Sequence, residues 1–243
     1  MIVPKWAILL YPLLMMAALA TGVWLKGRQK PDSRLSPFER LWIGLGAFIG
    51  AMVMARLPFV LLDTDGMRDG SAFFISGKTI LFGLVGGYFG VELVKWRLGI
   101  HVKTGDSFAV PVAGSIAVGR LSCLAGGCCY GTTTTVPWAL IFPAVDRLPR
   151  HPTQLYEFAF HMTAAFVLTS LQKRGLFRNH LIKLYFISYC GYRFLSEYVR
   201  PEARDVFGLT AYQWTAAVLI ILFGWMWWRD ARLDQGKLLR SMS

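Results

Sequence analysis

Apolar residues gather in runs of about 20 separated by short polar breaks, with no strict alternation anywhere along the chain. A helix crosses a hydrocarbon core of about 30 Å with roughly 20 such residues. Breakers and charges divide the sequence into seven predicted helices, at about 6–25, 41–62, 79–96, 108–125, 152–171, 181–199 and 211–228. Transmembrane barrels are built from alternating segments of about ten residues, and that pattern is absent. The expected fold is all-α: a polytopic membrane protein with seven transmembrane helices, residues 1–243 forming a single integral membrane domain.

Composition sharpens this picture. Hydrophobic residues make up 55% and charged residues 16%, against about 25% charged in an ordinary soluble domain. A soluble enzyme, a disordered chain and a disulfide-rich secreted module are all excluded. The net charge of +12 suggests nucleic acid in a soluble protein. No Lys/Arg stretch is interleaved with stacking aromatics, however, so no nucleic-acid partner is expected. The basic residues follow alternate runs: Lys26, Arg28, Lys30, Arg34 and Arg40; Lys95, Arg97 and Lys103; Lys173, Arg174, Arg178 and Lys183; then Arg229, Arg232, Lys237 and Arg240. Those are 16 of the 26 Lys and Arg. The opposite loops are mixed in sign, with Asp63, Asp65, Arg68 and Asp69, and again Glu202, Arg204 and Asp205. Basic loops stay cytoplasmic, which places the amino terminus outside and the carboxyl terminus in the cytoplasm. The first run has no small-residue cleavage site behind a short apolar core, so it is expected to be retained as a span. Gly46 and Gly50 in the second run, and Gly83, Gly86, Gly87 and Gly90 in the third, have the spacing that lets two helices approach closely.

Polar groups inside such runs cost about 2.5–3.5 kcal/mol each on insertion scales, and each needs a reason. Arg56, Glu92 and Arg120 lie within or at the ends of spans. Gln154, Glu157 and His161 share one helical face, as do Tyr189, Arg193, Glu197 and Arg200. Buried pairs or snorkelling ends are the favoured account of Arg56 and Glu92, and for Arg193 with Glu197 an internal ion pair and a role in the site are equally open. Arg120, Arg147, Arg150, Arg200 and Arg204 outnumber the acids on the outer side, so an anionic ligand such as a phospholipid headgroup is the economical partner. Two outer stretches, 63–78 and 126–151, are long for a compact bundle. The second is rich in aromatics and proline and reads as an ordered lid at the membrane surface. It holds Cys128 and Cys129, close to Cys123; their spacing is neither CxxC nor a zinc knuckle. Packing, a disulfide from Cys123 to one of the pair, and direct thiol chemistry all remain open for them.

Three stretches resemble the prolipoprotein diacylglyceryl transferase family. Arg150-His151-Pro152-Thr153-Gln154-Leu155-Tyr156-Glu157 matches that family's R-H-P-[ST]-Q-L-Y-E. Gly119-Arg120-Leu121 opens a stretch like its G-R-[IL]-x-N-x-x-N-x-E-x-x-G, which would close at Gly131. The segment Tyr192-Arg193-Phe194-Leu195-Ser196-Glu197-Tyr198-Val199-Arg200-Pro201 is similar to its F-R-x-x-x-E-x-x-R-x-P. The departures are equally specific. Cys123, Gly126 and Cys128 stand where the signature has two Asn and a Glu. The H-G-G-L-x-G of span three appears as Leu81-Phe82-Gly83-Leu84-Val85-Gly86, without its histidine.

The resemblance implies a multi-pass enzyme of the bacterial cytoplasmic (inner) membrane. It would move diacylglycerol from phosphatidylglycerol to a thiol, a prolipoprotein cysteine or a related acceptor. The leaving group is glycerol phosphate, so the site must stabilise growing negative charge. Arg120 and Arg200 are expected to do so. His151 and Glu157 are the candidate proton acceptors for the nucleophilic thiol. Arg150, Gln154, Tyr156, Arg193, Glu197, Gly119 and Gly131 are assigned to substrate binding, and Cys123, Cys128 and Cys129 to possible thiol chemistry. His151 also suits an N-cap with Pro152 at the first helical position, and Glu157 suits orienting an arginine. No cofactor and no metal are expected. The competing readings are a lipid-binding protein without transfer, which would need no base, and a membrane thiol-redox protein, against which the missing CxxC counts.

Overall fold

In a computed structural model, which describes residues 5–62, 79–143, 145–204 and 207–242, the chain is helical. Seven helices are seen among the described residues: α1 Lys5–Gly27, α2 Pro37–Leu62, α3 Ile80–Arg97, α4 Asp106–Ala125, α5 Thr153–Lys173, α6 Leu181–Ser196 and α7 Ala211–Met242. Each covers one of the predicted runs. A 3-10 turn, Glu197–Val199, replaces the expected end of the sixth. Three stretches, Leu10–Gly27, Pro37–Leu61 and Asp106–Ala125, are long and apolar enough to cross a membrane. The 63–78 loop, with its Asp63, Asp65, Arg68 and Asp69, and Asp205 lie outside the described residues.

Two compact units divide the chain: Met1–Gln29 with Thr104–Ser243, and Lys30–Lys103. The second consists of α2 packed on α3. α2 starts at a reciprocal cap that the motif Ser36-Pro37-Phe38-Glu39 encodes. The Ser36 hydroxyl accepts from the Glu39 N–H at 3.2 Å, and the Ser36 N–H donates to Glu39 Oε2 at 2.7 Å. The glycines do what their spacing predicts. A Cβ on Gly50 would strike the Gly86 carbonyl, and one on Gly90 would strike the Gly46 carbonyl, so only glycine permits this backbone approach. Glu92 is paired within its own helix, with Lys95 at 2.9 Å.

In the larger unit α4 packs on α1 and α5, and α7 on α6. Asp106, in the first turn of α4, caps α6 from outside. Its carboxylate accepts the Asn179 and Leu181 N–H groups at 2.5 and 2.9 Å. α7 begins at another reciprocal cap, Thr210 with Gln213: each side chain accepts the other's backbone N–H, at 3.2 and 3.0 Å. The described residues of the 126–151 stretch are tied down by backbone hydrogen bonds. Leu140–Ile141 (β1) pairs antiparallel with Pro149–Arg150 (β2), and backbone bonds tie Gly131 and Thr132 to His151 and Val199. Gly131 is required there, since a Cβ would lie 2.5 Å from the Val199 carbonyl and 2.7 Å from His151 Cβ.

Candidate active site

The polar stripes of α4, α5 and α6 converge. Glu157 is fully buried in α5 and accepts from three side chains: Arg120 of α4, Arg200 Nη2 at 2.9 Å, and the Tyr189 hydroxyl at 2.8 Å. Arg193 Nη2 lies 2.9 Å from Glu197 Oε2, and Glu197 also accepts the Thr210 hydroxyl at 3.1 Å. Arg120, Arg193 and Arg200 are only 5–8% exposed. The five groups carry three positive charges against two negative ones, an excess of one in a place where an unbalanced charge is costly. Several donors are also unused. Arg120 Nε, Arg193 Nη1 and Arg200 Nε are buried without a hydrogen-bond partner, as is the Tyr192 hydroxyl. Guanidinium groups held in this way, with spare N–H donors and surplus charge, make a candidate receptor for a small anion.

The start of α5 fixes the lid to this receptor. Gln154 Nε2 donates to the Cys128 carbonyl and the Thr153 hydroxyl to the Cys129 carbonyl. Gln154 thus serves the loop backbone, and its Oε1 has no partner. The helix begins at Thr153 with Pro152 as the cap and no capping side-chain bond. His151 is therefore not the N-cap: Pro152 takes that place, and the imidazole turns to Tyr156, Nδ1 to hydroxyl 3.1 Å. That hydroxyl also accepts from Trp138 Nε1 at 2.7 Å. Arg150 is engaged with Asp146 at 2.5 Å and with the Gly131 carbonyl at 3.2 Å, and it lies over the Tyr130 ring. It stitches the lid, and holds the Asp146 carboxyl below the usual carboxylate range by hydrogen bonding. Gly119 lies where α4 meets α1, with room for a Cβ 3.7 Å from Ala18.

All four cysteines are free, so of the three open readings the disulfide is not the one formed. The Sγ atoms of Cys123, Cys128 and Cys129 nevertheless lie within 4.8 Å of one another. Arg120 Nη1 is 3.7 Å from Cys123 Sγ, which joins the thiols to the receptor. The Cys129 thiol is pushed down by hydrogen bonds from Cys123 and Cys128 and by the Arg120 and Arg200 charges, whereas Cys128 is pushed up by its two thiol neighbours and burial.

Tyr185 is a neighbour of the stripe that the pattern missed. Its hydroxyl bonds the buried His161 Nδ1 at 2.9 Å. The signal was present, since Tyr185 stands one turn before Tyr189 on the same stripe. Asp146 was missed as well, although it sits four residues before Arg150.

The family profile described as prolipoprotein diacylglyceryl transferase matches residues 1–229. The chain belongs to that family. Relatives named phosphatidylglycerol–prolipoprotein diacylglyceryl transferase include that of Aeromonas hydrophila, 28% identical over 204 residues, which cover 80% of this chain and 74% of the relative. The Vibrio atlanticus protein is 30% identical over 204 residues, covering 80% and 75%. That of Legionella pneumophila is 32% identical over 155 residues, covering 59% and 60%. Membership gives the receptor a context, since Glu157 and its two arginines, Arg120 and Arg200, come one from each of the three recognised stretches.

Proposed function

We propose that this protein is a phosphatidylglycerol-dependent diacylglyceryl transferase that places the diacylglyceryl group on a thiol of a prolipoprotein or a related acceptor. The observation that carries this reading is the set of buried guanidinium groups around Glu157 with spare donors and a surplus positive charge. Arg120 and Arg200 bind the phosphate of the lipid and hold the charge that gathers on glycerol phosphate as the ester bond breaks. Arg193, held by Glu197, supports them. Glu157 orients both arginines, and because its oxygens are committed to Arg120, Arg200 and Tyr189, it is a poorer base than His151. His151 is half-buried and has one ring nitrogen outside its Tyr156 bond.

The seven helices are read as seven spans of one domain in the bacterial cytoplasmic membrane, amino terminus outside. The bias of 16 basic residues toward one set of loops supports that orientation. Incubation of the purified chain with phosphatidylglycerol and a lipobox peptide, followed by mass spectrometry, tests the activity. Glycerol phosphate release and a diacylglyceryl mass gain on the peptide cysteine are expected. Absence of both, with lipid still bound, would favour the lipid-binding alternative. Rescue of prolipoprotein maturation in cells depleted of their own transferase identifies the ordinary acceptor.

A further inference from the structure

The three clustered cysteines occupy positions where the family signature carries Asn and Glu, or lie beside them, and the fold builds their geometry with care. Cys123 lies in the last turn of α4, and the chain then reverses through Gly127 at φ +64° and Cys129 at φ 60°. A non-glycine residue in the left-handed region is uncommon and marks a conformation held by its surroundings. Here the surroundings are explicit. Fully buried Gln154 and Thr153 hold the carbonyls of Cys128 and Cys129, and Tyr11 of α1 sits where a Gly126 Cβ would come within 3.0 Å. The outcome is three sulfurs within 4.8 Å of one another. Three thiolates at about 2.3 Å from one ion stand roughly 4 Å apart, so the cluster is already close to ligating spacing.

We propose that Cys123, Cys128 and Cys129 bind one thiophilic d10 cation, Zn2+ being the charge-matched case, with a fourth position open to the acceptor's thiol. Sulfur ligands select soft or borderline ions over Mg2+ and Ca2+. Three thiolates and Zn2+ carry one net negative charge, and the Arg120 guanidinium lies 3.7 Å from Cys123 Sγ. Three protein ligands with one open position is the arrangement of a catalytic zinc, and a thiol that coordinates there loses its proton.

The proposal rests on the transferase reading and completes it, because span three carries no histidine here. The acceptor thiol would enter the fourth position and give its proton to His151, which would pass it to the departing glycerol phosphate. Its sulfur lone pair forms the bond to glycerol C3 as the C3–O bond breaks, and that electron pair leaves on the phosphate ester oxygen next to Arg120 and Arg200. No oxidation occurs, and the metal keeps its valence.

Metal uptake tests the site without any appeal to turnover. Reduced, metal-free full-length protein in detergent is titrated with Cd2+, and the ultraviolet thiolate-to-metal charge transfer is followed, with Zn2+ as the competitor. One equivalent per chain is expected. Cys123→Ser and Cys129→Ser should weaken uptake at least 100-fold, whereas Cys190→Ser, buried on α6 away from the cluster, should leave the stoichiometry at one. No stoichiometric uptake by the native chain, with its thiols shown free by alkylation, overturns the site. A Co2+-loaded sample then receives a short cysteine peptide or its serine analogue. A shift in the visible bands with cysteine alone is expected, and no shift overturns the open position. If the peptide ligates but no lipid transfer follows, the transferase reading fails while the metal site stands.

Discussion

Glu157 and Arg120 form one contact, yet their loss should have different consequences. Glu157 is the shared carboxylate of two buried arginines, so Glu157→Gln leaves both Arg120 and Arg200 charged, buried and without an anionic partner. Removing one partner of a buried ion pair costs about 3–5 kcal/mol, and here two cations are stranded side by side. Arg120→Ala removes one cation and leaves Glu157 with Arg200 at 2.9 Å and Tyr189 at 2.8 Å. The carboxylate stays satisfied, and only one charged hydrogen bond and its packing are lost, about 1.5–3 kcal/mol. The order for turnover should be reversed in kind. If Arg120 holds the phosphate, its loss lowers the rate by roughly 10- to 150-fold from that contact alone, before any transition-state share is added. Thermal unfolding in detergent and product mass spectrometry, run on both variants, separate the two effects. Arg120→Ala should unfold near the parent and turn over poorly, whereas Glu157→Gln should melt much earlier. Equal melting of the two variants would refute the shared-carboxylate reasoning, and normal turnover by Arg120→Ala would remove it from the reaction.

Other outcomes follow from the same physics. A periplasm-active reporter fused to the carboxyl terminus should be silent, and a cytoplasm-active one bright; the reverse would overturn the orientation read from the basic loops. Gly86→Ala places a methyl group against the Gly50 carbonyl and should destabilise the α2–α3 pair by about 1–3 kcal/mol, whereas Gly44→Ala, with nothing within 4 Å, should be silent in the same melting assay. Asp146 is held ionised below the ordinary carboxylate range by Arg150. A depressed carboxyl supplies its contribution above its unfolded pKa and loses it as pH falls through the folded one. Asp146→Asn should therefore loosen the lid toward proteases at neutral pH, and the parent should loosen only in acid; equal nicking of the two at neutral pH would argue against the stitch.

Runs of apolar residues, glycine spacing and caps are local in sequence, and the helices they specify are the ones formed. The S-x-x-E and T-x-x-Q caps could be read directly, because a cap reports on four consecutive residues. The receptor was half legible. Arginines and glutamates stranded in apolar runs announce a site, and their spacing places them on common faces, but which carboxylate serves which arginine depends on how α4, α5 and α6 pack. Arg150 shows the limit: counting charges by loop made it surplus, whereas Asp146, one strand turn away, already occupies it. The cysteines show the opposite limit. Spacing rules for metal and disulfide sites assume that a regular helix or knuckle presents the ligands, and a left-handed residue breaks that assumption. With Cys129 at φ 60°, two adjacent thiols no longer diverge as they would along a strand, and both can approach Cys123 at the end of α4. The conformation is held by Gln154 and Thr153, residues that belong to the recognised R-H-P-[ST]-Q-L-Y-E stretch. A segment shared with the family thus shapes a cluster at positions where this chain departs from it. The most recognisable part of the sequence and its least expected chemistry are two ends of one set of hydrogen bonds.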